Sequence, residues 1–184
     1  MLAALLAIAL GMQTSPADIN IAFGRVTRDL TGDAIPETLT LTGTGRTIGD
    51  LAVTFTIRAP GRILYTQTWR LTRSSFDSRR RIPDAELNAR LADYGRSFFA
   101  DSQFMSPPGF VSWLQASARL HIAVIPDVIA SQMTPRDPAR ALVTWQQMQA
   151  APITLFSFSP GGDRVMMVGW SATDQRFYNL LDCC

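Results

Sequence analysis

The densest set of oxygen ligands in this chain lies in nine residues, Asp29-Leu30-Thr31-Gly32-Asp33-Ala34-Ile35-Pro36-Glu37. Carboxylates stand at the first, fifth and ninth positions, a hydroxyl at the third and a main-chain carbonyl at the seventh. A hard cation such as Ca2+ takes roughly six to eight oxygens from a flexible loop. Asp29, Thr31, Asp33, Ile35 (through its carbonyl) and Glu37 supply most of such a shell. The same residues also suit an acidic hairpin loop in which Asp and Gly serve turn geometry. A third use is catalytic, with the three carboxylates as acid, base or metal ligands. The sequence leaves all three open.

The nine residues resemble the calcium loop of FG-GAP and VCBS-type secreted modules, whose pattern is Asp-x-Asn-Gly-Asp-Gly-x-x-Asp. The resemblance implies Ca2+ as the ion, Asp29, Asp33 and Glu37 as side-chain ligands, and Ile35 as a carbonyl ligand. It covers one copy, whereas those families repeat the loop. Thr31 stands in for an amide or carboxylate, and Ala34 for a glycine that allows a positive φ.

Other chemistries are thinly supplied. The chain has 184 residues, and its seventeen basic residues are all Arg. Without Lys there is no Schiff base and no phosphate-loop lysine. The single histidine, His121, sits between Leu120 and Ile122 and has no Gly-x-Ser-x-Gly elbow to serve. Cys183 and Cys184 are adjacent and terminal, without His at metal spacing. Gly43-x-Gly45 and Gly161-Gly162 lack a following helix, so they read as turns. The run Arg79-Arg80-Arg81 reads as the solvated approach to a helix, with anionic groups as the alternative partner. Fifteen acidic residues leave a net charge of +2, which gives no field for nucleic acid.

These residues must be positioned by one domain, since 184 residues suffice for a single core. Residues 2–10 are an unbroken apolar run, and Ser15-x-Ala17 offers small residues at signal-cleavage spacing. We therefore divide the chain into a signal peptide or short apolar anchor at 1–17 and a domain at 18–184. As a helix, residues 1–12 would reach only about 18 Å, too short to span a bilayer.

Alternation at Ile19–Phe23, at Leu39 and Leu41, at Leu51–Ile57 and at Ile63–Leu71 predicts four antiparallel strands. Leu51, Val53, Phe55 and Ile57 should point inward together. Leu87, Leu91, Tyr94 and Phe98 share one helical face after Pro83, with Asp84 and Glu86 in the first turn. A second helix should open at Pro107 or Pro108, capped by Ser106. A third should open at Asp137-Pro138, with Ala141, Leu142, Trp145 and Met148 inward. Residues 119–133 read equally as strand or helix. Strands return at 153–159, 165–170 and 177–181. This order predicts an α+β fold in which the four N-terminal and three C-terminal strands form one antiparallel sheet, with two or three helices on one face.

Four Trp, ten Phe and seven Met, with little Glu and no Lys, suit a core and also a protein-binding surface. The expected function is thus an exported, non-catalytic accessory or binding subunit, calcium-stabilised through the 29–37 loop. Its expected place is periplasmic or extracellular at the cell envelope, with a protein partner or membrane complex and membrane contact through residues 1–12. The competing expectation is a carboxylate- or metal-dependent enzyme built on the same loop.

Overall fold

The structure is a computed structural model that describes residues 18–79, 82–116 and 124–183. Its order is β1 (Ile19–Arg28), β2 (Glu37–Thr47), β3 (Asp50–Ala59), β4 (Arg62–Thr72), α1 (Asp84–Phe98), β5 (Phe104–Met105), α2 (Pro107–Ala116), α3 (Ile125–Ser131), α4 (Pro138–Ala150), β6 (Leu155–Gly161), β7 (Arg164–Ser171) and β8 (Arg176–Cys183). The fold is α+β, as the sequence predicts.

The expected single sheet is in fact two. Strands β1-β2-β3-β4 form one antiparallel sheet and β5-β6-β7-β8 another. The reason lies in the C-terminal strands, which bury both faces: Phe156 and Phe158, Met166, Met167 and Val168, and Phe177, Tyr178 and Leu180 are all nearly inaccessible. A strand apolar on both faces needs cover on both sides. The second sheet therefore serves as a middle layer, between the first sheet and helices α3 and α4. Its fourth strand, β5, has two residues, too few for any periodicity.

Leu51, Val53, Phe55 and Ile57 are fully buried together, and the Phe55 ring joins the layers. Its centroid lies 5.2 Å from Phe156, 5.1 Å from Phe158 and 5.3 Å from Phe98 of α1. Helix α1 lies close on β1: a Cβ at Gly95 would stand 2.7 Å from the Phe23 carbonyl oxygen, so only glycine fits that crossing.

Helices α3 and α4 cover β8 and β7. Asp137 caps α4 through Arg140 N at 2.9 Å, and Ser106 accepts from Gly109 N at 3.2 Å at the start of α2. The ambiguous stretch resolves as helix where it is described, in α3. Leu142 is the exception on the predicted inward face of α4. It is 47% exposed, whereas Ala141, Thr144, Trp145 and Met148 are buried. Gln132, after α3, replaces a missing strand at the β8 edge. It donates to Asn179 O at 2.7 Å and accepts from Asn179 N at 2.9 Å, which closes that edge to further pairing.

Candidate functional site

The loop from Asp29 to Glu37 does connect β1 to β2, and its carboxylates shape it from within. Glu37 is only 2% exposed. It accepts from Leu30 N at 2.7 Å with one oxygen and from the Thr31 hydroxyl at 3.1 Å with the other. Asp29 accepts from Gly32 N at 2.7 Å and from Ala34 N at 2.9 Å, while Asp33 accepts from Ile35 N at 2.9 Å. A bond donated by a main-chain N–H to a charged carboxylate is roughly twice as strong as a neutral one. They hold Gly32 at φ +75° and Ala34 at φ +66°. Ala34 thus takes the left-handed conformation despite its Cβ, at a cost of about 1–2 kcal/mol.

The geometry uses every acidic side chain of the loop as a cap for the loop's own N–H groups. Among the described residues no three His, Cys, Asp or Glu side chains gather at metal-binding distance. The oxygens that the spacing brings together in sequence thus serve the turn, and the Ile35 side chain, 52% exposed, faces outward.

Beside this loop lies a cleft of about 300 Å3, walled by Thr31 and Asp33, by Gln147 and Met148 of α4, and by Trp170 and Thr173. Thr144 and Ser171, which also line this cleft, belong to a polar cluster around Asp174 in the β7–β8 turn. The Asp174 side chain is 4% exposed and pairs with Arg140. It also accepts from Tyr178 Oη at 3.0 Å, Ser171 Oγ at 3.2 Å and Thr144 Oγ1 at 3.4 Å. Thr144 and Ser171 are each 3% exposed.

Burial alone would raise the Asp174 carboxyl, but hydrogen bonds from Arg140, Tyr178 and Ser171 outweigh it and hold it below its usual value. Burial, then the bond to Asp174, pushes the Tyr178 phenol up, so it stays a donor. A carboxyl depressed in the folded state contributes stability above its unfolded value near about 4. That contribution disappears as the pH falls through the lower folded value. Urea unfolding between pH 7 and pH 2.5 should therefore show wild type and Asp174→Asn converging in acid. A gap that persists below the folded value would mean that the charge is irrelevant.

The cluster staples α4 to the β7–β8 turn: Asp174 takes Arg140 and Thr144 from α4, and Ser171 and Tyr178 from the strands on either side of the turn. Its signal in the sequence was weak, because Arg140 and Thr144 stand 34 and 30 residues from Asp174.

The remaining sequence candidates separate. Arg79 donates its main-chain N–H to Asp77 at 2.9 Å in the approach to α1. Cys183 ends β8 opposite Val165. His121, Arg80, Arg81, Cys184 and the apolar segment 1–17 lie outside the described residues. No helix among the described residues is long and apolar enough to cross a membrane.

A second feature is apolar and exposed. Trp145 and Trp170 are buried and Trp69 is half-buried, but Trp113 on α2 is 40% exposed, and Leu142 and Val143 on α4 about half. The start of α2 and the end of α4 line one cleft, and Phe110 meets Trp145 edge-on at 6.3 Å. The two helices therefore run antiparallel, which places Trp113 and Leu142 at the same end of the pair. The Trp113 ring stacks on Phe110 at 6.0 Å, which fixes it at the surface. Compared with protein-family models, curated proteins and solved structures, the chain matches none of them.

Proposed function

We propose that the protein is an exported, non-catalytic binding subunit of the cell envelope, which holds a protein partner on its α2–α4 face. The single observation that carries this reading is the exposure of Trp113 on α2 and of Leu142 and Val143 on α4, two helices joined by the Phe110–Trp145 ring contact. Tryptophan on a fixed support is the commonest kind of anchor in protein interfaces. The apolar run at 2–10 supports export. Asp29 and Glu37 hold the loop's own main chain and Asp174 ties α4 to the β7–β8 turn, uses that favour binding over the carboxylate-enzyme alternative. Calcium enters the proposal only as a stabiliser of the 29–37 turn.

The test uses the full chain produced in its native host and purified from envelope fractions under mild conditions. Light scattering after size exclusion should show a mass above that of the chain alone. Trp113→Gln with Leu142→Gln should return it to monomer with an unchanged melting temperature, since neither side chain is in the core. A wild-type chain that runs as a monomer, or a double variant that keeps the larger mass, contradicts the proposal.

A further inference from the structure

The outer face of the first sheet, turned away from the second sheet, is built largely of threonine and arginine. Strand register places sixteen side chains there in four cross-strand ranks. The two central ranks are Arg25-Thr40-Thr56-Thr66 and Ala22-Thr42-Thr54-Thr68. The flanking ranks are Thr27-Thr38-Arg58-Ile63 and Asn20-Thr44-Ala52-Arg70. Nine of the sixteen are Thr, three are Arg, and none is Asp or Glu.

Threonine favours strands, so its abundance alone decides nothing. The charges are more telling, in a chain with nearly equal numbers of Arg and acidic residues. Asp50, just beyond the last rank, is taken by Arg70. Arg25 and Arg58 are exposed and have no carboxylate or hydrogen-bond partner among the described residues. Arg46 is equally unpartnered. It lines, with Thr44, Thr68, Trp69 and the Arg70–Asp50 pair, a groove of about 670 Å3 across the end of this face.

We propose that this face binds a carboxylate-bearing polysaccharide. Arginine forks match carboxylates in a bidentate way, which gives the charge complementarity. Each threonine hydroxyl offers one donor and two acceptors, the same pattern as a sugar hydroxyl. Thr54 and Thr68 bond to each other at 3.3 Å and Thr56 is buried; the other six have no side-chain hydrogen-bond partner among the described residues and keep that capacity. Ranks repeat every ~6.8 Å along the strands and ~4.8 Å across them, which gives an extended chain repeated contacts. None of the sixteen side chains is aromatic and Ile63 is the one large apolar side chain among them, so stacked nucleobases and a membrane surface fit the ranks poorly.

The proposal is independent of the α2–α4 partner site, which lies on the opposite side. Its test uses the full chain against immobilised polygalacturonate, the fully methyl-esterified and hence neutral polymer, and linear polyphosphate. The expected result is salt-sensitive binding to polygalacturonate, at least tenfold weaker for the neutral polymer and for polyphosphate. Arg25→Ala with Arg58→Ala should lose tenfold or more, and Thr42→Val with Thr68→Val should lose severalfold, with melting temperatures unchanged. No binding to polygalacturonate, equal binding to polyphosphate, or double arginine variants that bind as wild type would each overturn it.

Discussion

Phe55→Ala is expected to reduce the unfolding free energy by about 3–5 kcal/mol, the range for a large aromatic deleted from a closed core. Domains of this kind are stable by only about 5–15 kcal/mol. The loss is therefore a large fraction of the whole. Phe55 is fully buried and belongs to β3, yet it touches rings from α1 and from β6 of the other sheet. Its removal opens a void between two sheets whose ladders are separate and which are tied across by the Tyr65 Oη to Asn179 Oδ1 bond at 2.9 Å, so neither can collapse fully into the space. Phe55→Leu should recover most of the loss. Urea unfolding of the three proteins measures it, and a loss below about 1 kcal/mol would mean that the sheets do not share this core.

Glu37→Ala is expected to cost about 3 kcal/mol, although it alters a single carboxylate. The side chain satisfies Leu30 N and Thr31 Oγ1, and Leu30 itself is fully buried. A buried donor left without a partner costs about 1–3 kcal/mol, and bonds to a charged group lie at the high end. Glu37→Gln keeps one carbonyl acceptor and should lose less than half as much. Equal stability of Glu37→Ala and wild type would remove the staple from the account. The same melting experiments in millimolar calcium and in chelator address the ion separately. A calcium-dependent rise that Asp33→Ala abolishes adds Ca2+ to the turn. Identical melting in both leaves the hydrogen bonds as its only support.

These two residues mark how much was legible in the sequence. The strict alternation at Leu51–Ile57 identified the inward face of β3, because a strand has period two and one buried side. It did not say that this face would meet a second sheet, since periodicity names a face and not its neighbour. Asp137-Pro138 announced α4 by local cap chemistry and was right to the residue. Leu142 has the helical spacing of an inward residue but lies exposed, because the buried stripe centres on Ala141, Trp145 and Met148.

In the 29–37 loop, the turn and its acidic residues were visible. The inward rotation of Glu37 was not, because burial of that carboxylate depends on the strands around it. Asp174 looked like a turn residue for the same reason: its partners come from α4 and β8. The Thr-x-Thr repeats at 38–44, 54–56 and 66–68 were present in the sequence. Only the register of three strands turns them into one surface.

The central claim is that the α2–α4 face holds a different polypeptide at the cell envelope. A photo-crosslinking amino acid placed at Leu142 in the native host tests it most directly. That position is about half exposed, so the probe takes the place of a side chain that already reaches solvent. The account predicts a crosslink to one polypeptide other than this chain, absent when the probe sits at Thr42 on the opposite face. Crosslinks only to a second copy of the chain, or none at all from position 142, would contradict it.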